Sequence, residues 1–480
     1  ANNSYALLGT GAFIQEGLKS SANWSQDYGA ALRGEVPGIA VGDHTSARLF
    51  ADRDIQGADS ELFKTLRQAT LTNSNVLEGG SKFIEKSGFV HIEGMYDFLE
   101  KIPYFDLQEG VSYRRYFLNS EGALFNDGLL GFNGTIPVEE YGAFTQASKT
   151  WLDGRVVMRA SFRFDKNQNF EGRISPKIGV VFSPDKEKRH FIRLSAQSGF
   201  RNPSPQESYI ALDIGDAVIL GGTEDNITHY QYRVNNDLIL NGSDIHEKLV
   251  SVPSVQAFLA GGGTNPALLQ PLGLSFLRQE QIQTAELGYR GVIEKNLFVE
   301  VTGFYNEYKD FVTRTLGYSL EAGRVFAVYT NVETPITSYG AEVLLEYRTD
   351  DGYRIKGTYT YNQVDTDKAI EENPGFLPGF NSPPHRATLW VSNDNVYQGF
   401  GFSAGLRWSD AYVWQSPFGQ GNINPYTVVD AYLSYRMPEI NSIFKAGASN
   451  LFNAAYQTMY GGPEIGAQYY FSITFDEIFR

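Results

Sequence analysis

The feature that most constrains this chain is a period of two that persists for about ten residues at a time. From Arg155 to Asp165 one parity reads Val156, Met158, Ala160, Phe162, Phe164, and the other reads Arg155, Val157, Arg159, Ser161, Arg163, Asp165. The next run repeats it, with Ile174, Pro176, Ile178, Val180 and Phe182 against Arg173, Ser175, Lys177 and Gly179. Later runs set Leu297, Val299, Val301 and Tyr305 against Glu300, Thr302 and Asn306, and Tyr353, Ile355, Tyr359 and Tyr361 against Arg354, Lys356, Thr358 and Thr360. Successive side chains of a strand point to opposite faces, so each parity occupies one face. Soluble sheets alternate too, but their strands run mostly to about five or six residues. Runs of about ten match a tilted membrane strand. Tyr, Phe and Trp often bound the apolar parity, as in the aromatic girdles of a membrane barrel.

The pattern predicts fifteen strands, at 84–98, 105–118, 138–150, 155–165, 172–184, 190–200, 281–293, 296–307, 338–348, 353–364, 385–395, 400–410, 426–437, 441–450 and 468–479. Seven connections are short, around Lys101, Asp153, Asp185, Lys295, Asp351, Asn395 and Glu439. The others are mostly longer, and 201–280 is the longest. Apart from the brief connection at Asn167–Glu171, long and short alternate. The reading is an all-β antiparallel transmembrane β-barrel over 84–480, with tight periplasmic turns and long extracellular loops. Residues 1–83 lack the alternation, and Ser4–Gln26 carries apolar residues at roughly helical spacing. That region reads as a partly helical extracellular loop, with a separate soluble domain as the alternative. Bacterial single-chain barrels have an even strand number and both ends in the periplasm. An odd count therefore implies a missed strand or an upstream portion of the barrel outside this sequence. The second is favoured, because the chain opens on Ala1-Asn2-Asn3 without a signal peptide.

Composition narrows the function classes. The chain has 480 residues, 55 acidic and 40 basic, for a formal charge of −15. That balance argues against a nucleic-acid partner, which requires clustered Lys and Arg. The absence of cysteine excludes disulfide scaffolds, cysteine-ligated zinc, iron–sulfur clusters and thiol catalysis. No run of about 18 apolar residues offers a transmembrane helix. The mean hydropathy of −0.29 is compatible with a barrel, whose strands average lipid-facing with lumen-facing residues.

Six segments in order carry a family resemblance. They are Ala160–Lys166 with Asn169–Lys177; Gln197-Ser198-Gly199-Phe200-Arg201-Asn202-Pro203-Ser204-Pro205-Gln206-Glu207; Leu277–Glu280 leading into Glu286–Gly291; Asn381–Arg386; Asn450-Leu451-Phe452-Asn453 with Tyr456; and the aromatic Tyr469–Phe479. Over residues 84–480 the chain resembles the C-terminal part of TonB-dependent outer-membrane receptors of the Bacteroidota type. The resemblance implies a 22-stranded barrel around an N-terminal plug. The plug, the segment that contacts TonB and about seven strands would then lie outside this sequence.

Candidate residues fall into two groups. The polar parity supplies lumen- or plug-facing candidates Arg155, Arg159, Arg163, Arg173, Lys177, Arg193, Arg354 and Arg407. Their plainer role is solvation of a water-filled lumen. The long loops supply ligand-contact candidates Tyr209, Tyr230, Tyr232, Tyr318, Tyr329, Trp414 and Tyr460, since an aromatic offers a large rigid face with a polar tip. Local loop packing is the plainer role for each. Asp165-Lys166-Asn167-Gln168-Asn169 spaces oxygens somewhat like a calcium loop, but lacks its Gly and distal Glu and reads better as a polar hairpin tip. Gly261-Gly262-Gly263 lacks the strand–helix context of a phosphate loop and reads as a mobile turn. Pro176, inside a clear run, predicts a bulge or an edge. No spacing singles out a catalytic residue, a metal site or a cofactor.

Three functions are weighed. The first is energy-coupled nutrient uptake (glycan, peptide or siderophore) in the outer membrane of a Gram-negative bacterium. Its partners would be the upstream plug and barrel portion, the TonB complex, outer-membrane lipid and a surface lipoprotein. The second is a receptor-like barrel serving as a docking subunit of a larger outer-membrane complex. The third, an outer-membrane enzyme, lacks a candidate catalytic cluster.

Overall fold

The computed structural model describes residues 21–53, 60–72, 84–99, 101–214, 217–234, 238–373, 376, 378–416 and 419–475. In chain order its strands are β1 Gly88–Asp97, β2 Asp106–Leu118, β3 Ile136–Trp151, β4 Val156–Asn167, β5 Arg173–Phe182, β6 His190–Arg201, β7 Ala211–Asp213, β8 Ala217–Leu220, β9 Gln231–Arg233, β10 Ile239–Asn241, β11 Val250–Ser251, β12 Glu280–Ile293, β13 Leu297–Lys309, β14 Phe311–Ser319, β15 Arg324–Val332, β16 Ile336–Arg348, β17 Arg354–Asp365, β18 His385–Tyr397, β19 Phe400–Ser409, β20 Tyr412–Ser416, β21 Gly419–Ile423, β22 Tyr426–Met437, β23 Ser442–Ser449 and β24 Gln468–Phe475.

Fifteen of these form one sheet, in the order β1-β2-β3-β4-β5-β6-β12-β13-β16-β17-β18-β19-β22-β23-β24. Each strand of this sheet pairs antiparallel with the next of the fifteen along the chain. All fifteen strands expected from alternation are present. The largest difference at a boundary is at the first, which begins at Gly88. The end of the last expected strand, 476–479, lies outside the described residues.

Register carries one parity across the whole sheet. Leu287 of β12 lies opposite Leu194 of β6 and Gly303 of β13. Following the pairs outward, Val111, Phe162, Ile178, Val301, Val343, Leu389, Leu406, Leu433 and Phe471 share that face. Its residues are largely exposed, with Leu194 at 57 %, Leu287 at 59 % and Leu433 at 68 %. An apolar band this extensive has no place on a soluble monomer. It fits the lipid-facing wall of a membrane sheet, where strands satisfy every backbone polar group by pairing. The opposite face carries Arg163, Lys177, Arg193, Glu286, Thr302, Glu342, Lys356, Thr388, Arg407 and Lys445.

The short turns gather at one end of this sheet. They reverse the chain with left-handed residues: Leu152, Asp153 and Gly154; Glu294 and Lys295; Gly352; Gln398 and Gly399; Asn441. Tight hairpins use this conformation because its twist matches the flanking strands. Gly399 needs its missing side chain as well, since a Cβ there would stand 2.6 Å from the Arg436 carbonyl oxygen. In another turn the Asp185 carboxylate accepts the amides of Arg189 (2.7 Å) and His190 (3.1 Å). The Arg189 bond is the main cause that holds this carboxyl below its ordinary range.

Pro176 is not at a bulge. Its pairing with Phe162 of β4 stays in register, and the β5–β6 ladder simply ends one residue away, at Lys177. No second ladder is then left to require the missing amide.

In the N-terminal region, helices span Ser21–Leu32, His44–Asp52 and Glu61–Thr72. The first two are joined by Trp24 Nε1 donating to Asp52 (2.7 Å), and Asp43 caps the second by accepting from the Ser46 amide (3.1 Å). The first part of the Ser4–Gln26 stretch with helical spacing lies outside the described residues. Among the described residues no helix is long and apolar enough to cross a membrane.

Candidate functional site

The long connections are not independent loops. They interlock into a folded crown at the end of the sheet opposite the tight turns. Within 201–280 and 311–332 lies a five-stranded sheet, β11-β14-β15-β8-β7. Its core is built from Val218, Leu220, Ile227, Tyr230, Leu240, Ile245, Leu249, Phe326 and Val328. A second core joins this region to the β2–β3 connection, through Leu118, Phe125, Ile136, Val138 and Tyr209. A third joins the β15–β16 corner to the β17–β18 connection, through Val332, Ile336, Ala369 and Phe376. Farther round, Asn381 exchanges hydrogen bonds with Gln415 (2.7 and 2.9 Å), and Tyr412 donates to the Thr458 carbonyl (2.7 Å).

Local chemistry explains how the crown is assembled. Buried Asp127 organises the β2–β3 connection by accepting from the Ser120 hydroxyl (2.6 Å) and the amides of Glu121 (3.0 Å) and Gly122 (2.9 Å). The segment Asn202–Glu207 starts a helix, Pro205–Tyr209, with a reciprocal capping box between Ser204 and Glu207. Arg201 donates to Glu207 (2.8 Å) and to Glu280 (3.1 Å), bridging the two ends of the longest connection.

The ligand-contact candidates divide under this geometry. Tyr209 and Tyr230 require correction, because their rings are core material at 0 % and 7 % exposure. Tyr209 stacks edge-on against Phe132 (5.8 Å), and Tyr230 fills the cap core. Burial is the first cause pushing both phenols well above their ordinary range. Tyr232 is half-buried against Phe326 (5.4 Å). Tyr318 pairs with Val250 and Tyr329 with Arg314, both within the cap sheet and half-buried. Trp414 is half-buried in the β20–β21 hairpin, opposite Gly421. The Tyr460 ring lies across Gly421, where a Cβ would stand 2.1 Å from it, and Tyr460 is 49 % exposed. Of the seven, Tyr460 presents most surface.

Register places Arg159, Arg163, Arg173, Lys177, Arg193, Arg354 and Arg407 together on the polar face. Arg155 stands apart, in the turn before β4, where its carbonyl accepts the Ser183 amide (2.7 Å). Several of the seven are already engaged. Arg163 grips Asp165 (2.6 to 3.0 Å), and Arg173 donates to Gln279 (3.1 Å) and Gln281 (3.3 Å). Arg407 donates twice to Asp430 (2.6 and 3.1 Å).

A polar chain that the alternation did not reveal runs along the crown's base. Glu140 accepts from Asn167 (3.0 Å) and Asn202 (3.1 Å), and buried Gln279 donates to Asn202 (2.9 Å) while accepting from Arg173. Arg278 continues it to Asp310 (2.8 Å) and Glu333 (3.1 Å). Its members come from strand ends and connections far apart in sequence, so no local pattern announces them.

Other motifs resolve into structure. Asn450 accepts the Ala454 amide (3.0 Å) and donates to the Ala454 carbonyl (2.7 Å), so Asn450–Asn453 shapes the turn after β23. Asp165–Asn167 belongs to β4, and the oxygens of Asn167 and Asn169 are taken by the Asn169 amide and the Tyr209 hydroxyl. Gly261 ends the helix Val252–Ala260, with Gly262 and Gly263 following at positive φ. Among the described residues no group of three or more His, Cys, Asp or Glu could hold a metal ion.

A family model described as TonB dependent receptor-like, beta-barrel matches residues 7–451. Similar solved structures include the siderophore receptor PirA of Acinetobacter baumannii (12 % identity, TM-score 0.53), covering 81 % of this chain and 55 % of that one. A mutant of the ferric enterobactin receptor PfeA of Pseudomonas aeruginosa is 13 % identical at a TM-score of 0.54, covering 81 % and 54 %. The FrpB iron transporter of Neisseria meningitidis is 12 % identical at 0.54, covering 82 % and 55 %. At such identities the likeness concerns the fold. The chain spans about half the length of these structures.

Proposed function

The chain belongs to the TonB-dependent receptor-like β-barrel family, and from that membership we propose that it forms the barrel wall and surface crown of a TonB-dependent uptake receptor in the outer membrane of a Gram-negative bacterium. The observation that carries this reading is the division of the fifteen-stranded sheet into an exposed apolar face and a polar face beneath a folded crown. A wall of that kind separates lipid from a hydrated path. The crown is the part of the receptor that first meets the ligand. The cargo is a scarce nutrient of the glycan, peptide or siderophore class; siderophores gain support from the named functions of the similar structures. The order of the six sequence segments supports a Bacteroidota-type receptor, with this chain as its C-terminal part.

On this reading the gate is a plug domain from the same receptor, and energy arrives through TonB. The test is native extraction in mild detergent followed by mass spectrometry. Plug peptides of the same receptor should co-purify with this chain in equal amount, and cells lacking TonB should lose ligand uptake. Recovery of the chain without any plug peptide, or uptake unaffected by loss of TonB, would overturn the proposal.

A further inference from the structure

The apolar face of the sheet carries a groove with a charge in it. The groove has a volume of about 760 Å³ and crosses β1 to β5. Two successive rungs of the ladder shape it on this face. One runs Gly94, Val111, Ala143, Phe164 and Ile174, and the next runs Tyr96, Glu109, Thr145 and Phe162. Gly94, Ala143 and Thr145 are small, so the surface dips between Tyr96 and the two phenylalanines. Phe162 and Ile174 are 56 % and 64 % exposed, so the groove lies in an open wall rather than a core.

Glu109 is the unusual member. Register puts it on the lipid-facing parity, between Leu107 and Val111 of the same strand. A carboxylate facing lipid is costly, and where one persists it has a partner. Two other pairs of charges on this parity neutralise each other: Arg115 stands 3.4 Å from Glu139, and Lys309 stands 2.8 Å from Glu307. Glu109 is exposed, and among the described residues its carboxylate has no ion-pair or hydrogen-bond partner. A cation is close but turned elsewhere. Lys101, in the β1–β2 turn, holds its ammonium over the Tyr96 ring, 4.6 Å from the centroid. Tyr96 is also the register partner of Glu109. The same turn exposes Tyr104, an aromatic of the kind that settles at a membrane interface. The short-turn end of the groove therefore offers a positive and a negative group that share one tyrosine.

We propose that this groove binds a phospholipid with a primary ammonium headgroup. An acyl chain fills the trough over Gly94, Val111 and Ala143, the phosphate meets Lys101, and the ammonium donates to Glu109. Charge complementarity selects this occupant. An anionic headgroup would set like charge against Glu109, and a quaternary ammonium has no N–H to donate. The inference rests on the membrane-wall reading of the sheet. It concerns the outside of that wall; on the same reading the plug and the cargo lie on the other face.

The test is native mass spectrometry of the intact detergent-solubilised receptor, titrated with ethanolamine, choline and glycerol phospholipids of identical acyl chains. The ethanolamine lipid should bind about fivefold more tightly than the other two, the upper worth of an exposed ion pair. Glu109→Gln should erase that preference, and Ala143→Phe, which fills the trough, should erase it too. Equal binding of the three lipids by the wild type, or a preference that survives in either variant, would overturn the site. A second measurement locates it. An ethanolamine lipid with a photoactivatable diazirine in its chain should label peptides of β2 and β3 above those of β12 and β13, and even labelling of both would overturn the site. A protein retained by the wild type in place of lipid, and lost in Glu109→Gln, would give the groove to a protein partner and overturn the lipid. Failure of the membrane-wall reading would show separately, as water access to Leu194, Leu287 and Leu433; failure of this site alone leaves those positions in lipid.

Discussion

The Tyr209 hydroxyl stands 3.0 Å from a carboxylate oxygen of Asp225 and 3.0 Å from the side-chain oxygen of Asn169. One phenol thus joins the β4–β5 tip to the longest connection, while its ring anchors the β2–β3 connection. A crown knitted in this way is ordered in the folded chain, so on the proposed uptake reading the cost of ordering its loops is met in folding rather than in binding.

Tyr209→Phe removes the hydroxyl and leaves the ring in place. It should destabilise the crown by about 1 kcal/mol, the worth of a typical hydrogen bond. Tyr209→Ala opens a cavity and should cost about 3–5 kcal/mol, by analogy with large aromatic truncations. Limited proteolysis should then cut within 201–280 while the sheet stays intact. Equal protection of wild type and Tyr209→Ala would contradict the role.

His246 gives the crown a pH dependence. It is 7 % exposed, stacked on Phe276 at 5.1 Å, and burial lowers its pKa from the ordinary value. The unfolded crown therefore binds a proton more readily than the folded one, so stability rises with pH across the interval between the lowered pKa and about 6.5. Hydrogen exchange in the cap should accelerate as pH falls from about 7 to about 5, beyond the intrinsic pH dependence of exchange. His246→Phe should abolish that excess; its persistence in the variant would assign it elsewhere.

Arg407 and Asp430 form a pair inside a small network with Ser449 and the Asn450 amide. Arg407→Gln and Asp430→Asn should each lower the urea midpoint. The double variant should lose less than the sum, by a coupling of about 0.5–3 kcal/mol as for contacting partners. Strict additivity would show that the two do not act as a unit.

The two faces should respond oppositely to charge. Leu287→Arg, in the middle of β12 on the apolar face, should cost about 2–4 kcal/mol in a bilayer. Thr302→Lys, on the polar face of β13, should cost little. Reversible unfolding from lipid vesicles measures both, and similar costs would contradict the face assignment.

The long strands were legible because about ten residues of strict alternation admit one reading, and register then propagates a single face assignment around the sheet. The crown was not. Its strands are two to nine residues long, and what ties them together is pairing between distant segments, as β8 pairs in parallel with β15 and β11 with β14. Position in a long connection located Tyr209 and Tyr230 but carried no information about their burial. Only the bridge from Phe125 to Ile210 and the cores around it decide that. The polar parity placed seven of the eight cationic candidates on one face, and missed Arg155 because the strand begins one residue later, at Val156.

The central claim is that one face of this sheet meets lipid and the other meets water. The natural absence of cysteine makes it directly measurable. Single substitutions Leu194→Cys, Leu287→Cys and Leu433→Cys on one face, and Lys177→Cys, Thr302→Cys and Thr388→Cys on the other, would carry spin labels in the receptor reconstituted in lipid. Labels at the three leucine positions should relax with oxygen dissolved in the bilayer and ignore a water-soluble nickel chelate. The other three should be no more accessible to oxygen than to the chelate. If the leucine positions are reached from water, or both sets respond alike, the sheet is not a membrane wall and the receptor account fails.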